Sequence, residues 1–307
     1  HWMGALSGAR VVAGLDRQSV LVLDWSEAVR DAGHIIRVGL DGVEQESIDV
    51  MGIHTDFVEL PDGSFGALSW ELREMVDAAG ETRQILGDRL LRIQPDGAEE
   101  VIWTSFDLRP VDLEETYRSS GFGGPDLEDW SHANGLDYDA DADAFFITLS
   151  GLNSVVRVNA STGVQEWWLD NDGEGDFAVE DIWPRMVEGP HSIEHLGNDR
   201  ILLFNRHLKD DDSLPEDADV CSEAVELQLY PDTGLVETLW RYGSEECLWV
   251  LFYGEARRLE SGNTLVLFSS AGQIDEATPE GETVWRVNTD VGGAFGFGDR
   301  VERFRLD

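Results

Sequence analysis

One phased pair of motifs recurs along this chain, and it constrains the fold more than any other feature. The first motif is a strand, a turn with Gly after Asp, Thr or Glu, and a strand holding Trp. Leu91–Gly97 leads to Trp103, Val156–Gly163 to Trp167 and Trp168, Val225–Gly234 to Trp240, and Gln273–Gly281 to Trp285. Such turn residues supply positive φ or an Asx-type hydrogen bond in hairpins. The second motif precedes each of these. His54–Gly63, His132–Tyr138, His191–Leu196 and Tyr253–Gly262 each run into a largely apolar strand, and their starts lie 78, 59 and 62 residues apart. Two hairpins per repeat make a four-stranded antiparallel sheet, and such sheets at this period are blades of a β-propeller.

The reading is therefore all-β: a single propeller domain over 1–307, with blade units starting near 54, 132, 191 and 254. Arg10–Ala13, Ser19–Trp25 and Ile35–Leu40 offer three further strands and Arg300–Leu306 one. Together (8–50 with 299–306) they are expected to form a fifth blade that closes the ring by joining the chain ends. Glu71–Glu81, with Leu72, Met75 and Val76, is expected to be a short inserted helix. The stretch 107–130 is a long excursion of the kind that walls a propeller mouth.

Charge bears on partners. The chain of 307 residues carries 62 Asp plus Glu against 22 Lys plus Arg, a formal net charge of -40. Phosphate neutralisation needs a basic face, so nucleic-acid binding is excluded, as is a polybasic membrane anchor. With 42% hydrophobic residues and 11 Trp, the chain is not disordered. The acids read as a solvated coat. No apolar run reaches the roughly 18–20 residues that span a bilayer. Cys221 and Cys247 flank the hairpin turning at Pro231–Gly234, close enough in register to meet. A disulfide there would place the protein in an oxidising compartment, periplasmic or secreted. His1-Trp2-Met3 does not read as an export signal.

His54, His132 and His191 each open an equivalent unit, so in a propeller they are expected to converge on one end of the channel. The plainer alternative is that each caps its blade by bonding a loop carbonyl. Arg206 follows the strand fed by the His191 unit, and its planar fork suits sulfate, phosphate or carboxylate. The plainer alternative pairs it with Asp210–Asp212. Asn134 could orient His132 or touch substrate, and Trp130 could be wall or core. Asp139, Asp141 and Asp143 lack the Gly and the twelfth-position acid of an EF-hand and read as a solvated hairpin tip. No CxxC pair or HExxH motif is present, and no cofactor or metal is implied.

These units resemble the arylsulfotransferase family over roughly 50–307. The resemblance rests on His54–Gly63 with its Leu-Pro-Asp-Gly, Trp130–Asn134, Thr162-Gly163 with Trp167, His191-Ser192 with Leu203-Phe204, and Gly254–Val266 with its Ser-Gly-Asn-Thr-Leu. The family is a propeller usually described as six-bladed, against five repeats counted here. It implies transfer or hydrolysis of the sulfuryl group of an aryl sulfate, with a small-molecule phenol as the other partner, through a transiently sulfurylated histidine. His132 and His191 match two of the family's histidines, and Arg206 matches its arginine. By repeat phase the covalent histidine should fall in the next unit, where Tyr253 stands instead. Tyr253 is then a candidate for binding the phenol or oxyanion, and His54 an alternative nucleophile or base. Two other functions compete: a metal-dependent ester hydrolase using His54, His132 and His191, and an inactive anion-binding propeller.

Overall fold

The computed structural model describes residues 9–24, 31–114, 117, 127–179, 184–207, 221–289 and 301. Its strands form five antiparallel sheets of four consecutive strands, one of them with an added fifth. The fold class is thus a five-bladed β-propeller, with the blade number that the repeats count. No α-helix occurs among the described residues. The chain divides into two compact units, His1–Phe145 with Val158–Gln165, and Phe146–Arg157 with Glu166–Asp307.

In the first unit, one sheet comprises β1 (Ala9–Ala13), β2 (Ser19–Asp24), β3 (Ala32–Gly39) and β4 (Glu44–Met51). The next comprises β5 (Ile53–Glu59), β6 (Phe65–Val76), β7 (Thr82–Ile93) and β8 (Glu99–Thr104), with β9 (Leu127–Asp129) parallel to β7. One core cluster, including Leu21, Leu23, Ile35, Ile53, Phe57, Phe65, Trp70 and Leu86, fills the space between them. The third sheet, β10 (Ala133–Asp139), β11 (Ala144–Leu149), β12 (Ser154–Asn159) and β13 (Gln165–Leu169), contributes residues to both units. The second unit adds β14 (Pro190–Gly197), β15 (Arg200–Asn205), β16 (Glu223–Tyr230) and β17 (Leu235–Gly243), then β18 (Glu255–Arg258), β19 (Thr264–Phe268), β20 (Gln273–Ala277) and β21 (Thr283–Asn288). Its core includes Phe204, Tyr242, Val250, Val266 and Phe268.

Burial within a blade follows strand position. The second strands β11 and β19 are buried at every residue, so they are continuous apolar runs rather than alternating ones. The fourth strands are exposed and carry much of the acidic coat, with Glu44 and Asp49 on β4, Glu99 and Glu100 on β8, Glu166 on β13 and Glu237 on β17. First strands present unpaired N–H groups at a sheet edge, which must find partners when buried. Here side chains of one blade accept from the next. Leu136 N–H donates to Asp56 Oδ2 at 2.8 Å, Ala256 N–H to Ser192 Oγ at 3.2 Å and Arg258 N–H to Glu194 Oε2 at 2.7 Å. Asp56 also takes a buried ion pair from Arg10 Nη2 at 3.0 Å.

Three expectations need correction. The first sheet draws its fourth strand from Glu44–Met51 and needs none from the C-terminus; the expected strand at 300–306 falls, apart from Val301, outside the described residues, as does Trp25. Glu71–Glu81 is not a helix. β6 and β7 pair without interruption from Phe65–Ile93 to Val76–Thr82, and the chain reverses at Asp77–Gly80. Strand geometry wins because Leu72 packs on the core while Arg73 lies over the Phe106 ring, 4.1 Å from its centroid. Finally, the described part of 107–130 adds β9 to the second sheet, with Glu128 paired to Arg83.

Candidate active site

In the first unit His54 is buried, stacked on Trp70 with ring centroids 4.8 Å apart. Its Nε2 lies 2.9 Å from Asp88 Oδ1 and its Nδ1 2.9 Å from Thr55 Oγ1. Asp88 Oδ2 accepts from Ser131 Oγ at 2.5 Å and from Ala133 N–H at 2.9 Å. Burial works to raise the Asp88 carboxyl pKa, but His54, Ser131 and the Ala133 amide outweigh it and hold the group below its ordinary value. His54 is therefore joined through one carboxylate to the segment carrying His132 and Asn134.

His132 is only partly buried, and its Nδ1 lies 2.5 Å from Asp129 Oδ2. A carboxylate at Nδ1 keeps the proton there and turns Nε2 into the basic nitrogen. Asn134 is buried, and its Nδ2 has no acceptor among the described residues. Trp130 is core, stacked on Phe106. At the Asp139 tip the carboxylate accepts from the Asp141 and Ala142 amides, closing a hairpin.

In the second unit His191 is buried and meets the Tyr253 ring edge-on, centroids 5.6 Å apart at 85°. Arg206 lies in the same unit. Its Nε donates to Gly189 O at 3.1 Å, its Nη1 to Leu251 O at 3.3 Å and its Nη2 to Ser150 Oγ at 2.5 Å. The guanidinium thus bridges the segments leading into His191 and Tyr253. Asp210–Asp212, the alternative partner, lies outside the described residues.

His132 and Tyr253, each just ahead of a first strand, have φ of 49° and 59°, a region that non-glycine residues seldom occupy. Thr55, inside β5 and one residue past the matched His54, has φ 49°, and the register breaks there between Ile53 and Phe57. Backbone strain is a pointer to function. Among the described residues no three His, Cys, Asp or Glu side chains gather as a metal site, and both nitrogens of His54 face protein oxygens.

Sequence reasoning missed the carboxylates behind the histidines. Asp129 stands three residues before His132 and was in reach of inspection. Asp88 lies far from His54 in sequence. His207, which opens no repeat unit, is buried with a glutamate at each ring nitrogen, Glu188 Oε2 at 2.7 Å and Glu223 Oε1 at 3.0 Å. Cys221 and Cys247 are joined by a disulfide, Cα atoms 4.8 Å apart.

Among solved structures the chain is similar to a protein of unknown function from Bacteroides caccae, at 14% identity and TM-score 0.51 over 95% of this chain and 86% of that one. It is also similar to virginiamycin B lyase from Staphylococcus aureus (10%, 0.44, 92% and 84%) and to a periplasmic gluconolactonase from Pseudomonas aeruginosa (13%, 0.43, 93% and 86%). At these identities the first likeness speaks for the fold alone, and the other two carry no argument. No curated protein matches the chain. A family model described as Arylsulfotransferase (ASST) matches residues 35–292, a span that holds all six candidate residues. The chain belongs to the arylsulfotransferase family.

Proposed function

We propose that this protein moves the sulfuryl group of an aryl sulfate to a phenol, or to water, with His191 as the group that carries it. The observation behind the reading is the family match across most of the chain. The two catalytic assignments are made separately, each from its own unit. His191 is buried beside Tyr253. A neutral imidazole there attacks sulfur as the S–O bond to the phenol breaks, which splits one difficult displacement into two. The acceptor oxygen then attacks the same sulfur and the imidazole leaves. His132, with Nδ1 on Asp129, is assigned the proton transfers at the phenolic oxygens. Tyr253, standing where the repeat phase expects a histidine, is assigned to the aryl ring. Arg206 supplies fixed positive charge next to His191. Asn134 Nδ2 is a donor suited to a sulfuryl oxygen. His54 is assigned to holding Asp88 rather than to chemistry. The disulfide favours a periplasmic or secreted site of action.

The test is transfer from p-nitrophenyl sulfate to an added phenol, followed by mass spectrometry of the quenched enzyme. A sulfuryl adduct on the peptide holding His191 supports the reading. Binding of the aryl sulfate without turnover would instead identify an anion-binding propeller.

A further inference from the structure

We propose that His207 is a positioning residue for His191, acting through Glu188; the proposal rests on the transferase reading above. The geometry is a clamp on the segment leading into β14. Glu188, Gly189 and Pro190 precede His191, and Gly189 has φ 54°, so the chain turns sharply there. Gly189 N–H donates to Asn153 Oδ1 at 2.8 Å, and further contacts tie this turn to the end of β15. Glu188 N–H donates to Asn205 Oδ1 at 3.2 Å, and Asn205 Nδ2 to Met186 O at 2.8 Å. Arg206 N–H and Nε donate to Gly189 O at 3.4 and 3.1 Å, and His207 N–H to Glu188 O at 3.4 Å. The side-chain half of the clamp is His207, with Nδ1 on Glu188 and Nε2 on Glu223.

Two carboxylates at the two ring nitrogens need both nitrogens to donate, which only the imidazolium does. Arg241 on β17 pairs with Glu223, and Arg185 lies 3.4 Å from Glu188 Oε1. Among the described residues, these four are charged groups that face His207 or its partners. Burial works to lower the His207 pKa, but the two glutamates outweigh it and raise it. Loss of the His207 proton removes one donor from the bridge between Glu188 and Glu223. The bridge is therefore whole below the raised value and weakens as pH rises through it. An imidazole poised to attack tolerates little displacement, since about 1 Å can cost roughly 100-fold in rate.

The experiment compares wild type with His207→Gln and Glu188→Gln, after circular dichroism confirms folding. The expected result is a kcat lowered about 10- to 100-fold with KM nearly unchanged, and loss of the limb of the kcat profile that follows His207 deprotonation. Folded variants with wild-type kcat and an unaltered pH profile overturn the proposal. A second measurement needs neither variant folding nor turnover. Imidazole NMR of the wild-type protein should show the His191 signal moving across the same step in which His207 loses its proton. A His191 signal that stays flat while His207 titrates overturns the proposal. If wild type turns over no aryl sulfate, the transferase reading fails, and the NMR titration still decides whether His207 positions His191.

Discussion

Removal of the Cys221–Cys247 bond is the perturbation whose size follows most directly from the structure. The two residues are 26 apart in sequence. Closing a loop of that length removes about 12 cal/mol/K from the unfolded chain, or ~3.5 kcal/mol at 25 °C. In the folded state the bond adds little to what already holds the two segments. Ser222 N–H donates to Leu248 O at 2.8 Å, Val250 N–H to Ser222 Oγ at 2.8 Å, and Ser222 Oγ to Arg206 O at 2.8 Å. None of these constrains the unfolded chain, so the loss appears almost wholly as a gain in unfolded-state entropy. At ~2.1 cal/mol/K per residue, 307 residues melting as one transition carry an unfolding entropy of about 0.64 kcal/mol/K. The Cys221→Ser/Cys247→Ser protein should therefore melt about 5–6 °C below wild type. Thermal circular dichroism with and without dithiothreitol measures this. Reductant should bring wild type down to the variant and leave the variant unchanged. A wild type insensitive to reductant, with the double variant within about 1 °C of it, would refute the loop-entropy argument.

Three further outcomes are expected. His132→Ala should lose about 100-fold or more in transfer from p-nitrophenyl sulfate, the scale of a missing proton-transfer group, and His191→Ala should lose more and form no sulfuryl adduct; normal rates in both would reject the assignments. His54→Ala leaves the buried Asp88 carboxylate without its imidazole partner and should cost about 3 kcal/mol in urea unfolding, the low end because Ser131 and Ala133 still donate. Asp88 is held below its ordinary value, so its contribution is full above about pH 4 and disappears as pH falls through the lowered folded value; a wild-type stability excess over the variant that persists undiminished in strong acid would contradict this. Gly254→Ala should destabilise by about 2 kcal/mol or more with the urea m value unchanged, because φ is +113° there and an added Cβ falls 2.2 Å from the fully buried Phe204 ring.

What could be read from the residues, and what could not, divides along physical lines. Blade number was legible because hairpin turns need positive φ and the chain marks them with glycine, at Gly63, Gly97, Gly163, Gly234 and Gly281. The same signal stood at Asp41-Gly42, yet β4 was passed over. As a fourth strand it is mostly solvent-facing, and Ile48 and Val50 are its two buried apolar residues. A search for apolar runs finds inner strands and misses outer ones. The helix expected at Glu71–Glu81 failed for a related reason. Leu72, Met75 and Val76 are too few to separate a helical stripe from a long hairpin arm, and cross-strand pairing with β7 decided it.

The candidate site divides the same way. His54, His132 and His191 stand out in sequence because each opens a repeat unit, whereas His207 does not, and the carboxylates at His54 and His207 come from elsewhere in the fold. Asp88 and Glu188 meet His54 and His207 across 34 and 19 residues of sequence. Asp56, Ser192 and Glu194 recur beside the histidines, and they serve the blades rather than a substrate, by taking the N–H groups that first strands leave unpaired. An acidic or hydroxyl side chain near a matched histidine is thus ambiguous in sequence. Its partner settles the matter: a backbone amide of the next blade marks scaffold, and an imidazole marks a group whose proton and direction are being set. On the proposed reading, that criterion puts Asp129 and Glu188 with the chemistry, while Asp88, which holds both an imidazole and an amide, ties His54 to the segment that carries His132.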